Sequence, residues 1–296
     1  MKGSFTAFHP IVNFTYFIAV TVFSTFLMHP LFLGISLISA FIYSVQLNGK
    51  KALRFNLMYL LPLLLAMAAL NPLFNHAGIT ILFYLESGNP VTLESIVYGI
   101  AAATMFVSVV CWFSCYNTIM TSDKFIYLFG AIMPSLSLIL SMALRFVPRF
   151  KEQIKVIANA QKCIGRDISN GNLLQKAKHG ARILSIMITW ALENSIETAD
   201  SMRSRGYGLP GRTAFSIFRF DHRDKLVLSN IIAVTVLIIA GVCYGAVTMR
   251  YFPSLKPAPF TFSCALVSIT YLELCLIPVF IELWEGAKWQ SISSKS

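Results

Sequence analysis

Apolar runs of roughly membrane-spanning length alternate with short polar breaks along this chain, and one long polar stretch interrupts them in the middle. Residues 11–28 and 31–47 read as a first and second span, several such runs approaching the ~20 residues a bilayer requires. His29-Pro30 separates these two, because proline disfavours helix in the residue before it. A basic turn, Asn48-Gly49-Lys50-Lys51 with Arg54, leads into a third span over about 55–70, which Pro62 should kink. Residues 71–95 read as a loop holding Glu86 and Glu94 but no Lys or Arg, and 96–120 as a fourth span. After the polar middle, two more spans are expected at about 226–249 and 259–283, joined by Pro253-Ser254-Leu255-Lys256-Pro257.

The middle has a different periodicity. Residues 125–147 carry no charge before Arg145, so hydropathy alone makes them a span, divided at Pro134. The charge that follows favours a helix kept at the inner face instead, buried against other helices or a partner. Pro148 suits a first helical turn. After it Phe150, Ile154, Ile157 and Ile164 fall on one face, with Gln161 in the series, and Lys151, Lys155 and Lys162 on another. This predicts an amphipathic helix ended by Asn170-Gly171-Asn172. A second helix is predicted over about 176–205, with Ile183, Met187 and Trp190 on its apolar face and Glu193, Glu197 and Asp200 as an acidic strip. The stretch from Gly206 to Gly211 reads as a loop. Phe215, Phe218 and Phe220, interleaved with Arg212 and Arg219, read as an interfacial return to the bilayer, with Asp221 to Lys225 at the headgroups.

Composition agrees with that pattern. Of 296 residues 56% are hydrophobic and 12% charged, half the charged share of an ordinary soluble domain. The fold class expected is all-α: a polytopic helical membrane protein with about six transmembrane helices and an inserted cytoplasmic domain of two or three helices. Its parts are 1–122, the first four spans; 123–225, the cytoplasmic and interfacial helices; and 226–296, the last two spans and tail. Residues 123–225 hold 16 Lys/Arg against 8 Asp/Glu, a net of +8 out of the chain's +11. An N-terminus inside the cell places 22 Lys/Arg on the cytoplasmic side and leaves only Arg250 and Lys256 outside, as the positive-inside rule requires. Both termini are then cytoplasmic. The same rule accounts for the basic balance without nucleic acid, for which no reading fold is visible.

The chemistry-bearing residues are sparse. The six cysteines include no Cys-x-x-Cys and read as small, buried, reduced residues, so neither a metal nor a disulfide framework is expected. No cleavable signal is expected at the N-terminus. No phosphate-binding Gly-x-x-x-x-Gly-Lys-Ser/Thr loop occurs, nor His-Glu-x-x-His, nor Gly-x-Ser-x-Gly. No cofactor is implied. Glu273 alone lies well inside a span, which makes it a candidate polar site, with helix packing as the plainer explanation. Gly241 and Gly245 form a small-x-x-x-small packing pair. An intramembrane enzyme would need paired ionisable groups, and a self-sufficient carrier or channel a polar pathway; neither is visible.

The end of the second middle helix, Ala199-Asp200-Ser201-Met202-Arg203-Ser204-Arg205-Gly206-Tyr207-Gly208, suits a helix terminus. Cations complement the dipole in its last turn, and Gly206 can adopt the left-handed cap. An Arg between small residues at an exposed helix end can also grip a carboxylate on a partner with two hydrogen bonds. This stretch resembles the second coupling motif of the T components of energy-coupling factor transporters (the CbiQ/EcfT family), in which a small-Arg-small triplet ends a cytoplasmic coupling helix. Ser204, Arg205 and Gly206 match that triplet. The family's first motif, a similar triplet after Ala-Gln, falls on Ala160-Gln161-Lys162-Cys163-Ile164-Gly165, where Cys163, Ile164 and Gly165 match and Ile164 replaces the arginine; Arg166 follows two residues on. Residues 71–78 and 218–225 resemble family segments less specifically. The resemblance implies a noncatalytic subunit of an ATP-driven vitamin or metal-ion importer in a bacterial or archaeal cell membrane. It implies two ABC-type ATPase subunits docked on coupling helices, and a small substrate-binding membrane protein (an S component) against the apolar surfaces. ATP hydrolysis would belong to the ATPases.

Overall fold

The computed structural model describes residues 4–84, 89–130, 133–166, 172–209, 218–257 and 261–293. Asn170, Gly171, Arg212 and Phe215 lie outside the described residues. The protein is all-α and polytopic, and its chain forms two compact units, residues 1–124 with 218–296, and residues 125–217.

The first unit is a helical bundle. Helices α1 (Pro10–Phe26) and α2 (Pro30–Asn48) each begin at a His-Pro step. In both, proline's fixed φ suits the first turn and the preceding ring caps it: His9 Nδ1 accepts from Ile11 N–H, and His29 Nδ1 from Leu31 N–H, each at 3.3 Å. Helix α3 (Lys50–Phe74) contains a π-helical stretch, Asn56–Leu60, just ahead of Pro62. Proline's missing N–H interrupts the regular ladder there, and Leu61 N–H reaches back to the carbonyl of Asn56. The expected loop at 71–95 is shorter than predicted. α3 runs on to Phe74, strands β1 (Ile81–Tyr84) and β2 (Pro90–Thr92) pair antiparallel, and α4 (Leu93–Ile119) starts under a Thr92 cap. Helices α8 (His222–Cys243) and α9 (Phe262–Ser293) close the bundle. Between them the expected plain loop contains a two-residue antiparallel pair, β3 (Met249–Arg250) with β4 (Lys256–Pro257).

Helices α2, α3, α4, α8 and α9 are long and apolar enough to cross a membrane; α1, the sixth expected span, is apolar and 17 residues long. Its core holds a hydrogen-bonded chain through four helices. Trp112 Nε1 donates to Ser36 Oγ at 3.1 Å, Ser36 Oγ bonds Ser24 Oγ at 2.7 Å, and Ser24 Oγ bonds Tyr271 Oη at 3.1 Å. In hydrocarbon such groups must pair with one another, so the chain fixes which helices touch. Cys111, Cys115, Cys264 and Cys275 are buried as expected, but Cys163 and Cys243 are exposed, because both sit at helix ends. The Gly241–Gly245 pair is also corrected. Gly241 packs so closely on Val267 that a Cβ would lie 2.2 Å from it, whereas Gly245 has φ +72° and caps α8.

Candidate functional site

The second unit contains most of helix α5 (Ser122–Gly130) and two long helices, α6 (Pro134–Cys163) and α7 (Leu173–Ser204). α6 begins at Pro134, where the sequence reading divides the 125–147 stretch, and passes through Pro148 instead of starting there. A proline inside a helix removes one ladder bond without ending it when neighbouring turns hold, and here 15 further residues, 149–163, stay helical. α7 starts at Leu173, earlier than predicted. Asn172 makes a capping box with Gln175, so the N–H groups of both residues have a local partner that hydropathy does not reveal.

These helices pack through a small core. Ile157, Ile183 and Met187 are buried, with Phe150, Ala158 and Trp190 against them. Trp190 meets Phe150 edge-on at 5.8 Å, and Arg149 lies over the Trp190 ring at 5.5 Å. That cluster is the apolar face expected for α7, and Phe150 and Ile157 supply the matching face of α6. One face was missed. Leu184, Ile188, Leu192 and Ile196, spaced by four, form a second apolar stripe on α7, each 52–66% exposed. The spacing was there to be read. Glu193, Glu197 and Asp200 are exposed as well.

The candidate residues sit at the two helix ends. At the end of α7, Tyr207 N–H bonds the carbonyl of Met202 at 3.0 Å and Gly206 N–H that of Arg203 at 3.0 Å, with Gly206 at φ +81°. At the end of α6, Arg166 N–H bonds the carbonyl of Gln161 and Gly165 N–H that of Lys162, both at 3.0 Å, with Gly165 at φ +77°. Both are Schellman caps. Superposing the two caps by role sets Ile164 on Arg205, Gly165 on Gly206, and Arg166 on Tyr207. Cys163 and Ser204 are then the last helical residues, and the Ser204 hydroxyl donates back to the Ser201 carbonyl at 2.9 Å. Arg166 therefore does not occupy the position of the absent arginine. It stands one residue beyond the cap and is partly buried, whereas Ile164 is 63% exposed.

Arg205 is exposed, and among the described residues it has no carboxylate partner. A guanidinium carried on a stiff helix terminus can dock on an acidic groove without further ordering of the backbone. The negative C-terminal end of the α7 dipole favours the cation there but offers no carboxylate. Ile164 lies about 10 Å along α6 beyond Ile157, and Arg205 about 22 Å along α7 beyond Trp190, at 1.5 Å per residue. Each cap thus projects past the shared core. Among the described residues there is no group of three or more His, Cys, Asp or Glu that could hold a metal ion.

The CbiQ family, described as cobalt transport protein, matches over residues 8–216. The chain is similar to the energy-coupling factor transporter transmembrane protein EcfT of Lactococcus lactis, 39% identical over 105 residues, which is 35% of this chain and 40% of that protein. It is similar to the EcfT proteins of Lactobacillus helveticus (34% over 113 residues, 38% and 41%) and Staphylococcus aureus (33% over 104 residues, 35% and 39%). These alignments span about two fifths of each relative.

Proposed function

This chain belongs to the CbiQ cobalt transport protein family, and from that premise we propose that it is the transmembrane energy-coupling component of an ATP-driven micronutrient importer of the energy-coupling factor type. It is a noncatalytic subunit. Two ATPase subunits dock on the ends of α6 and α7, and a small substrate-binding membrane protein lies against the apolar surfaces. The 123–225 region faces the cytoplasm and both termini lie inside, in line with the distribution of Lys and Arg.

The observation that carries this reading is the pair of matched caps. Two long helices share a small core and project identical ends, and each offers an exposed side chain at the same cap position. Closure of the ATPases on ATP does work only on something stiff that they grip, and a capped helix end is stiff. The exposed aliphatic stripe on α7 gives a partner more to cover. The two contacts differ in chemistry: electrostatic at Arg205, apolar at Ile164.

Arg205→Glu tests the reading in the complex co-expressed with its ATPases. If the arginine is buried against a carboxylate, the substitution weakens docking by about 2–5 kcal/mol, and uptake is lost while the variant stays in the membrane. Normal assembly and uptake in Arg205→Glu refutes the assignment. The purified chain alone moves no solute into empty liposomes; a self-sufficient carrier does.

A further inference from the structure

Helices α8 and α9 run antiparallel, and their contacts give a scale of depth. Near one end Arg223 pairs with Glu285 at 2.9 Å; toward the other Gly241 meets Val267. Between them the Asn230 amide donates to the Glu273 carboxyl at 3.4 Å. Glu273 lies about 18 Å along the helix from Glu285 and about 16 Å from Phe262, at 1.5 Å per residue. That puts the pair near the middle of a hydrocarbon core about 30 Å thick.

Both residues are exposed. Around them the outward positions are apolar or small: Leu226, Ala233 and Leu237 share the Asn230 face of α8, and Leu266, Ile269 and Phe280 the Glu273 face of α9. A carboxyl group facing lipid at mid-bilayer is expensive, and such groups are found turned to a bundle interior or to a polar partner. The single long bond from Asn230 leaves most of the acceptor capacity of Glu273 unused. Ala233 leaves room for a backbone to approach closely.

We propose that this face is the seat of a transmembrane helix of the substrate-binding membrane protein, and that this helix presents a hydrogen-bond donor to Glu273. The inference rests on the transporter reading above and adds to it the place and the chemistry of the membrane contact. The ATPases are soluble and cannot reach this depth. A second copy of this chain, whose two-fold contact would set Asn230 of each copy against Glu273 of the other, is the competing occupant that the cross-link distinguishes.

The test uses the full complex, co-expressed with its two ATPases and the substrate-binding membrane protein from the same genome. A photoreactive residue at Ile269 cross-links to that protein, while one at Ile38 on α2 serves as the control position and does not. Glu273→Leu reduces its co-purification about three- to tenfold, the range for one interhelical hydrogen bond in a membrane; Glu273→Gln, which keeps an acceptor, stays near wild type. ATPase co-purification is unchanged in both variants. A cross-link at Ile269 only to lipid or to a second copy of this chain, or equal co-purification with Glu273→Leu, overturns the proposal. Failure of the wild-type chain to hold the ATPases at all overturns the transporter reading instead.

Discussion

The backbone N–H of His9 donates to Asp224 Oδ1 at 3.0 Å, joining the segment before α1 to the first turn of α8 across 215 positions of sequence. The other oxygen of Asp224 accepts from Asp221 N–H at 3.0 Å as part of a capping box, and Asp224 is 95% buried. One carboxylate therefore starts a helix and anchors the N-terminal segment. Arg223 beside it lies over the Phe8 ring at 5.3 Å. Asp224→Ala removes the carboxylate acceptor from the buried His9 N–H and the partly buried Asp221 N–H and lowers stability by about 2–4 kcal/mol. Asp224→Asn retains one acceptor and costs less. Thermal unfolding of the purified protein in detergent ranks the two variants, and equal midpoints for wild type and Asp224→Ala exclude the anchor.

The same segment holds Lys124. Its Nζ donates to the Thr6 carbonyl at 2.6 Å, and Asn13, with its amide turned to donate to Phe5, accepts from it at 2.7 Å. Lys124 is 5% exposed, and burial lowers its pKa to about 8 from the usual 10.5. The unfolded chain keeps this proton up to about pH 10.5, whereas the folded one releases it near 8, so between those values the unfolded state binds more protons. Stability then rises with pH across that window, by up to about 1.4 kcal/mol per pH unit, and has no slope from this group below it. Lys124→Met removes the slope. Melting both proteins from pH 7 to 10 checks this through the difference between their profiles, which cancels groups titrating in common.

Spans and their breaks were legible because each depends on neighbours in sequence: apolar length, a His-Pro step, a glycine after a helix. The helix pair of the middle was legible for the same reason, Ile183, Met187 and Trp190 sharing one face. Contacts between distant segments were not. Nothing near Asp224 announces His9, and Lys124 reads as an ordinary surface lysine until Thr6 is folded over it. Pro148 misled because proline marks a helix start more often than an interior, and only the surrounding turns decide. At the candidate site the triplet at 204–206 was plain, but the role of Arg166 was not, since spacing alone cannot distinguish a cap from the residue after it.

Gly206 and Gly165 have φ of +81° and +77°, a region that costs other residues about 1–2 kcal/mol. Gly165→Ala meets only that cost, because nothing lies within 4 Å of the added methyl. Gly206→Ala also brings the methyl to 3.1 Å from Leu209 Cδ1, so the cap must shift. The expectation is a similar small loss of stability in both, with ATPase co-purification falling more in Gly206→Ala because Arg205 moves with the cap. Equal retention of the ATPases by the two variants contradicts it.

The equivalence of the two caps makes its own demand on Ile164. This residue occupies the position that Arg205 fills on α7, is 63% exposed, and is followed by a glycine in the same conformation. An arginine there needs no buried charge and no change of backbone, and a cation in the last turn complements the helix dipole. Ile164→Arg should therefore fold as well as wild type, with a melting shift inside about 0.5 kcal/mol, the scale of ordinary surface changes. Its effect on docking reports the partner. If the ATPase that meets α6 has an apolar groove, the buried guanidinium lacks a carboxylate and co-purification drops, while Ile164→Ala weakens it only mildly and Arg166→Ala less than Arg205→Ala. An ATPase bound more tightly by Ile164→Arg than by wild type rules out the apolar contact, because a carboxylate must then be waiting at that groove.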